Sequence, residues 1–374
     1  MLEVRQVTNK KMRREFVNFP LKLYKNNPNF VPPLYGDEMK IFTSKNIYND
    51  TCEQAFFLAY KDGKVVGRIN AFIQRAHNEK SSEKRARFTR FDCINDVKVA
   101  KALFQAAEEW AKSYGMEIVC GPLGYSDLER EGLLIEGFEY LSTFEEQYNY
   151  DYYQSLIEAC GYEKEVDWVE YRLFTPKEKN EKLKRISELT MKKYKLSYGN
   201  AEMGKKEFIE TYKDQIFNVL DETYKNLYGT VPFTEAMKKQ IIEQFMLIIN
   251  PKYVGIICDE SGRVIAFGLA LPAIGKAFQK SGGRLTIPTL LRLLKILRHP
   301  KAIDLGLIGV LPEYQGTGVN AIVLDYVIDI MIDNKLEYAE TNLNLEDNTK
   351  VQSQWKFFDK IQHKRRRSFI KKLI

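Results

Sequence analysis

One stretch, residues 302–334, constrains the fold of this 374-residue chain more than any other. The apolar run Ala302–Val310 is short enough to be a buried strand. A turn that contains Gly316 and Gly318 follows, and residues 321–332 then place their apolar side chains on one side of a helix. The first amides of a helix have no intrahelical partner and lie at the positive end of its dipole. We therefore predict that main-chain amides of this turn bind an anion the size of a pyrophosphate.

The glycine turn matches neither of two common phosphate-binding patterns. No Lys-Ser/Thr follows the glycines, as a P-loop requires, and the spacing is not that of the dinucleotide fingerprint. The turn resembles the coenzyme A loop of the GNAT superfamily of acyl-CoA N-acyltransferases, which has the pattern Gln/Arg-x-x-Gly-x-Gly/Ala. Gln315, Gly316 and Gly318 fit this pattern. Asn320 stands where Gly or Ala is usual, although Asn tolerates unusual backbone angles.

This resemblance implies that acetyl-CoA or another acyl-CoA binds here as a co-substrate. It implies binding positions at the end of the strand, in the loop, at the start of the helix and in a later helix: Val310, Leu311, Gln315, Gly316, Thr317, Gly318, Val319, Asn320 and Asn348. A backbone amide near Leu311 would polarise the thioester oxygen. A simpler explanation of the two glycines, close packing in an ordinary crossover between strand and helix, also stays open.

The order of predicted elements occurs twice along the chain, so the whole chain resembles a tandem GNAT protein. The expected fold class is α/β, with two mixed sheets flanked by helices. The expected domains are residues 1–176 and 177–374. Residues 91–98 carry no glycine where the first domain should have its coenzyme A loop. We therefore expect only the second domain to bind the cofactor, while residues 121–127 either line a substrate groove or form a plain turn.

The expected chemistry is transfer of an acyl group from CoA to an amine, which needs a base for the amine and a proton for the thiolate. Asp304 and Glu340 are the candidate bases, although each alone also fits the solvated side of a strand. In related folds a Tyr seven residues after an Asn donates the proton. Here Trp355 occupies that position after Asn348. Tyr314 is the candidate substitute, with Tyr338 or water as alternatives.

Other polar residues of the second half admit two interpretations. Glu222, Tyr224 and Tyr228 lie where related folds contact substrate, but the helical spacing of the two tyrosines favours a core position. The basic residues 364–367 either contact phosphates or form the solvated face of a strand.

The function expected from these features is that of an N-acyltransferase whose acceptor is a small-molecule or peptide amine. A non-catalytic protein that binds acyl-CoA or a partner is the alternative, favoured by Trp355 and Asn320. Transfer from an aminoacyl-tRNA is a third possibility, but such enzymes need no loop for the CoA pyrophosphate.

The residues between Glu260 and Asp304 form a basic stretch that departs from the simple GNAT fold. Between Glu260 and Asp304 there is no acidic residue, while eight Lys and Arg residues lie there. Residues 286–299 within it form an amphipathic helix with a wide apolar face. Such a helix lies on an anionic membrane, covers an acyl chain, or packs on its own domain.

The composition limits the remaining classes of function. Five cysteines without a CxxC pair and three histidines without ligand spacing predict reduced thiols and no metal site. The first residues are typical of a strand and not of a signal peptide, so we expect a cytoplasmic protein. The net charge of +7 suits an anionic ligand, but no RNA-binding signature accompanies it, and nucleic acid is not an expected partner.

Overall fold

The computed structural model describes residues 1–373, which form two compact units. Unit 1 contains Met1–Val169, Ile274–Arg292 and the C-terminal segment from His363. Unit 2 contains Glu170–Ala273 and Leu293–Gln362. The units therefore differ from the expected contiguous halves, because two segments of the second half belong to unit 1.

The chain contains both strands and helices along its whole length. Those of the first half are β1 (Leu2–Gln6), α1 (Lys10–Leu23), α2 (Tyr35–Lys40), β2 (Cys52–Lys61), β3 (Lys64–Gln74), α3 (Arg75–Ser81), β4 (Arg85–Cys93), α4 (Val97–Ser113), β5 (Ile118–Gly121), β6 (Leu133–Glu136), α5 (Tyr153–Glu158) and β7 (Glu163–Phe174). Those of the second half are α6 (Glu181–Tyr194), β8 (Ser197–Tyr198), α7 (Lys205–Tyr224), α8 (Glu235–Ile248), β9 (Val254–Cys258), β10 (Val264–Pro272), α9 (Gly275–Gln279), α10 (Ile287–Arg298), β11 (Ala302–Val310), α11 (Val319–Asp333), β12 (Tyr338–Thr341), β13 (Asn344–Leu345), α12 (Thr349–Gln352) and β14 (Lys360–Lys372).

Each unit contains a mixed sheet of the same topology. The strand order is β1-β2-β3-β4-β5-β14 in unit 1 and β8-β9-β10-β11-β12-β7 in unit 2. In both sheets the first three pairings are antiparallel, the fourth is parallel and the last is antiparallel. The last strand of each sheet comes from the other half of the sequence. This exchange accounts for the C-terminal segment of unit 1, and the repeated topology agrees with the predicted repeat of elements.

Apolar helix faces cover these sheets. In unit 1, α4 buries Val99, Leu103 and Ala107 against the sheet core. In unit 2, α11 buries Ile322 and Val323 in the core that it shares with β9 and β10. All five cysteines are buried free thiols. In residues 1–373, no helix is both long and apolar enough to cross a bilayer.

The C-terminal region departs from the expectations drawn from the sequence. The later helix expected at Asn348 is short and consists of α12 and a following 3-10 turn, Ser353–Phe357. The basic tail is not a solvated strand face, because Lys364 and Arg366 are buried in unit 1. Arg367 Nε donates a hydrogen bond of 2.7 Å to Asp167 Oδ1. The extended strand β14 therefore uses its cations inside the unit, where they neutralise buried carboxylates.

Unit 1 also buries acidic side chains in the segment that follows β5. Residues 121–126 are themselves buried, which excludes a plain surface turn. Burial raises the pKa of Glu131 well above its ordinary value, and neighbouring Asp127 and Glu146 raise it further. Because folding raises the pKa of this carboxyl, its contribution to stability is fully present at pH values below the unfolded pKa, where the carboxyl is protonated in both states. As the pH rises through the folded pKa, the unfolded state loses the proton more readily, and that contribution to stability is lost.

We predict that Glu131→Gln raises stability at pH 8 and leaves it nearly unchanged at pH 4.5. The gain at pH 8 should be about 1–3 kcal/mol, the usual cost of a buried polar group without a full set of partners. Urea titration at both pH values measures it, with the exposed Glu139→Gln as control. Equal effects of Glu131→Gln at the two pH values would contradict the assignment.

Candidate functional site

The sheet of unit 2 opens beside β11. Parallel pairing with β12 extends only from Ala302 to Leu305, and the Asn342 amide makes the next contact, a 3.1 Å hydrogen bond to the Leu305 carbonyl. β11 continues to Val310, and among residues 1–373 no strand pairs with its last residues on that side. The backbone of residues 306–310 therefore has an open edge, which is where an extended ligand can pair with the strand.

The amides on the open edge are those of Ile308 and Val310. The Leu311 amide donates a 2.9 Å hydrogen bond to the carbonyl of Ile265 in β10. The N–H and C=O groups of successive residues in a strand point to opposite sides, so those of Val310 and Ile308 point away from β10. The expected amide near Leu311 is therefore not that of Leu311 itself. That amide is already used inside the sheet, and its neighbour Val310 presents the amide on the open side.

The glycine loop holds its own shape with hydrogen bonds between its residues. A 3-10 turn at Pro312–Tyr314 follows β11. Gln315 Nε2 donates to the Val310 carbonyl at 3.1 Å, and Thr317 Oγ1 donates to the Tyr314 carbonyl at 2.6 Å. The side chains of Gln315 and Thr317 thus fix the loop without using the amides of Gly316 and Gly318.

The two glycines of the loop have different roles. Both have positive φ, +75° at Gly316 and +100° at Gly318, a region that favours glycine. A Cβ atom at Gly318 would lie 2.6 Å from Thr190 Oγ1, whereas a Cβ atom at Gly316 would meet nothing within 4 Å. The packing explanation therefore applies to Gly318, while Gly316 keeps an open space in front of the loop.

The N-terminus of α11 fits an anion. Gly318 occupies the N-cap position, and no side chain caps the helix. Within residues 1–373, the N–H groups of Gly316, Gly318, Val319 and Asn320 donate to no protein acceptor. Such amides at the positive end of a helix dipole form an anion site. The residues present are therefore those that a pyrophosphate requires.

The corresponding position of unit 1 is closed to an anion. Asp96 caps α4 and accepts a 3.0 Å hydrogen bond from the Lys98 amide. Lys61 Nζ lies 3.0 Å from the other oxygen of Asp96, and this contact lowers the pKa of the carboxyl. A carboxylate that already binds the helix N-terminus repels a phosphate, so the two units differ in the one feature that the anion needs.

A charged row crosses the sheet of unit 2 near the open edge. The register places Asp304 of β11 beside Glu340 of β12, and Glu340 beside Arg172 of β7. Residues paired in this way share one face of the sheet. Arg172 Nε donates to Glu340 Oε1 at 3.2 Å, and Nη2 donates to the same oxygen. Glu340 is buried and ion-paired, so the expectation of a solvated strand position is wrong for this residue.

Tyr338 packs against Arg172 of this charged row. The guanidinium of Arg172 lies 4.2 Å from the centre of the Tyr338 ring. Burial raises the pKa of Tyr338, and Glu340 raises it further. The phenol therefore stays protonated at neutral and moderately alkaline pH. Asp304 is half-buried at the end of this row nearest β10.

The remaining predicted site residues lie apart from this row. Tyr314 is half-buried in the glycine loop, with its ring edge-on to Tyr194. Asn348 caps α12 and accepts a 3.2 Å hydrogen bond from the Val351 amide. Trp355 is buried, and its indole N–H donates to Asn344 Oδ1 at 3.2 Å. The position of the missing Tyr is thus occupied by a structural side chain.

Two residues gain significance from the structure. Arg172 lies in the first half of the sequence, and only the exchange of β7 brings it to Glu340. Tyr224, for which the sequence left a core position and a substrate contact open, packs against the core and donates a 3.2 Å hydrogen bond to the Ile308 carbonyl at the open edge. Glu222 instead forms an exposed pair with Lys225. Residues 1–373 contain no group of acidic, His or Cys side chains placed to hold a metal ion.

Comparisons with known proteins support the fold. A tandem GNAT protein from the clavulanic acid biosynthesis pathway matches with a TM-score of 0.56 and 11% identity, over 100% of this chain and 99% of that one. A GCN5-related N-acetyltransferase from Sphaerobacter thermophilus gives 0.51 and 10%, over 100% and 96%. The chain has the tandem GNAT fold. The predicted mixed α/β class is confirmed.

Two curated proteins are similar in sequence to this tandem GNAT chain. Protein YghO of Escherichia coli is 28% identical over 384 aligned residues, which cover 99% of this chain and 95% of YghO. A bacterial ceramide synthase of Caulobacter vibrioides is 26% identical over 313 residues, which cover 81% of this chain and 78% of the synthase. No family model matches the chain.

We predict that the Arg172–Glu340 pair of the second GNAT unit is strongly coupled. Removing one partner of a buried pair costs about 3–5 kcal/mol, whereas replacing both with apolar residues is often nearly neutral. Glu340→Leu should therefore destabilise the protein more than Arg172→Met/Glu340→Leu does. Chemical denaturation measures both, and Glu337→Leu, which breaks an exposed pair with Lys301, is the control. Additive effects of the two substitutions would show that the pair is not coupled.

Proposed function

We propose that this chain is an acyl-CoA-dependent N-acyltransferase whose coenzyme A is bound by unit 2. The observation that carries the proposal is the uncapped N-terminus of α11 beside the open edge of β11. The amides of Gly316, Gly318, Val319 and Asn320 would hold the pyrophosphate. The open edge of residues 306–310 would pair with the pantetheine arm, which extends along it toward Asp304.

The reaction joins the amine nitrogen to the thioester carbonyl carbon and breaks the bond between carbon and sulfur. The Val310 amide is the donor that would stabilise the negative charge on the carbonyl oxygen. A base must take one proton from the amine. We assign this role to Asp304, because Glu340 is already bonded to Arg172 and would lose that pair on protonation. Glu340 and Arg172 then act as positioning residues within the charged row.

The departing thiolate takes up a proton from a hydroxyl or from water. Trp355 cannot supply it, since an indole N–H is not an acid and this one is already bonded to Asn344. We assign the role to Tyr224, whose hydroxyl lies at the open edge. Tyr314 of the glycine loop is the alternative donor.

The similarity to a bacterial ceramide synthase supports a lipid-like acceptor. A ceramide is an amide between a fatty acid and a long-chain amino alcohol, so its synthesis is itself an N-acylation. We therefore propose a long-chain amine as acceptor in preference to a peptide amine. Because acyl-CoA is a metabolite of the cytoplasm, we place the activity there.

One observation favours a second function, acyl-CoA binding without catalysis. Trp355 and its bond to Asn344 fill the place of the proton donor that related folds use. A binding protein would retain the amides of α11 and the open edge without turnover. Assays of binding and of turnover on the same variants separate the two functions.

We predict that Gly316→Asp abolishes coenzyme A binding without unfolding the protein. The new carboxylate would face the pyrophosphate, while its Cβ atom meets nothing within 4 Å. Gly115→Asp is the matched control, since Gly115 has a φ of +74° and its Cβ atom also meets nothing. Calorimetric titration should show binding in the wild type and in Gly115→Asp, and at least about a hundredfold loss in Gly316→Asp, equivalent to about 2.7 kcal/mol.

The same proteins should then be assayed with acyl-CoAs and a panel of short and long amines. We expect turnover in the wild type, a preference for long-chain amines, and losses of about 10²–10⁴-fold in Asp304→Asn, the usual contribution of a general base. Binding without turnover of any amine would favour the non-catalytic function. Equal titrations of the wild type and Gly316→Asp would reject the site.

A further inference from the structure

The helix α10 exposes an apolar face to solvent. Ile287 is 76% exposed and Leu291 is 63% exposed, and Leu290 and Leu294 are exposed as well. These positions recur every three or four residues, so they form one stripe along the helix. Leu285, just before the helix, extends the stripe. The opposite side of α10 is anchored, with Thr289 and Leu293 buried.

This stripe has a purpose beyond packing. A helix that merely covered its own domain would bury its large apolar side chains and expose its polar ones. Here Leu293 faces the protein with 1% exposure, while four other large apolar side chains of the same helix face water. Contiguous exposed apolar residues of this kind mark a surface that binds something else.

The charge around the stripe identifies its partner. From residue 261 to residue 303 the chain carries eight Lys and Arg residues and no acidic residue. Lys280, Lys295 and Arg298 are exposed, as is Lys301, which is paired with Glu337. Lys295 and Arg298 lie one turn after Leu291 and Leu294, so the stripe ends among cations. A partner of this surface must therefore offer an apolar interior to the stripe and an anionic surface to the cations.

We propose that α10 docks this protein on the surface of an anionic lipid bilayer. Ile287, Leu290, Leu291 and Leu294 enter the boundary between headgroups and acyl chains, while Lys295, Arg298 and Lys280 contact the anionic headgroups. Helices of this kind lie in the plane of the interface without crossing it. The proposal stands on exposure and charge, and it does not depend on the coenzyme A site.

A second copy of the chain fits the same surface less well. The stripes of two copies would meet about a two-fold axis, which would bring the cations that flank each stripe toward one another. No acidic residue in the stretch from 261 to 303 is available to balance them. A bilayer with anionic lipids supplies the opposite charge and attracts each basic residue near its surface.

The test is flotation of the full chain with vesicles of phosphatidylcholine alone or with 30% phosphatidylglycerol, at low and at physiological salt. We expect the wild type to float with the anionic vesicles and to lose affinity as salt rises. Leu291→Asp should reduce partitioning by about tenfold or more, because a carboxylate is costly at the apolar boundary. Lys295→Glu/Arg298→Glu should do the same by charge reversal.

Matched controls separate these effects from unfolding and from unspecific charge. Leu189→Asp in α6 and Leu247→Asp in α8 place the same carboxylate at other exposed leucines, and both should float like the wild type. In Ile287→Trp, the indole emission should shift to the blue on addition of anionic vesicles only. Sedimentation should show the same mass for the wild type and Leu291→Asp.

Three results would overturn the proposal. The first is that the wild type binds neither kind of vesicle. The second is that Leu291→Asp binds vesicles like the wild type. The third is that the wild type is an oligomer and Leu291→Asp lowers its mass. The last result would assign the stripe to contact between copies of the chain. Because vesicle binding needs no CoA, failure here leaves the proposed activity untouched, and loss of CoA binding leaves this test unaffected.

Discussion

The candidate site of unit 2 depends on the separation of the parallel strands β11 and β12. β11 and β12 pair over Ala302–Leu305 only, and beyond that point β11 has one neighbouring strand. An unpaired edge of this kind is costly inside a protein unless another group satisfies its amides and carbonyls. Tyr224 and Gln315 satisfy two of the carbonyls, those of Ile308 and Val310. The amides of the same residues remain directed toward the edge, and this is the polarity that a thioester and its amide-bearing arm require.

The two units show how one topology serves two roles. Both sheets have the same order and the same parallel pairing at the fourth position, and both continue from that strand into a helix. In unit 1 the helix begins with Asp96, whose carboxylate binds the Lys98 amide. In unit 2 it begins with Gly318, which has no side chain to do so. The N-cap residue thus leaves the start of the helix occupied by a carboxylate in unit 1 and without a side-chain cap in unit 2.

The sequence predicted local features well and long-range ones poorly. The glycine turn, the repeated order of elements and helix α10 each depend on neighbouring residues, so periodicity and turn residues were sufficient to locate them. The exchange of β7 and β14 between the sheets leaves no local signal. The partner of Glu340 and the burial of Lys364 and Arg366 were therefore not predictable, because both follow from that exchange. The direction of the Leu311 amide depends on the register with β10, which the sequence alone does not fix.

We propose that main-chain amides at the start of α11 bind the pyrophosphate of coenzyme A. The most direct measurement is a crystal structure of the full chain with a non-reactive acyl-CoA thioether. The account predicts pyrophosphate oxygens within hydrogen-bond distance, about 2.7–3.2 Å, of the amides of Gly318, Val319 and Asn320, with the pantetheine arm paired to the open edge of β11. A pyrophosphate bound elsewhere, with these amides facing only water, would contradict it.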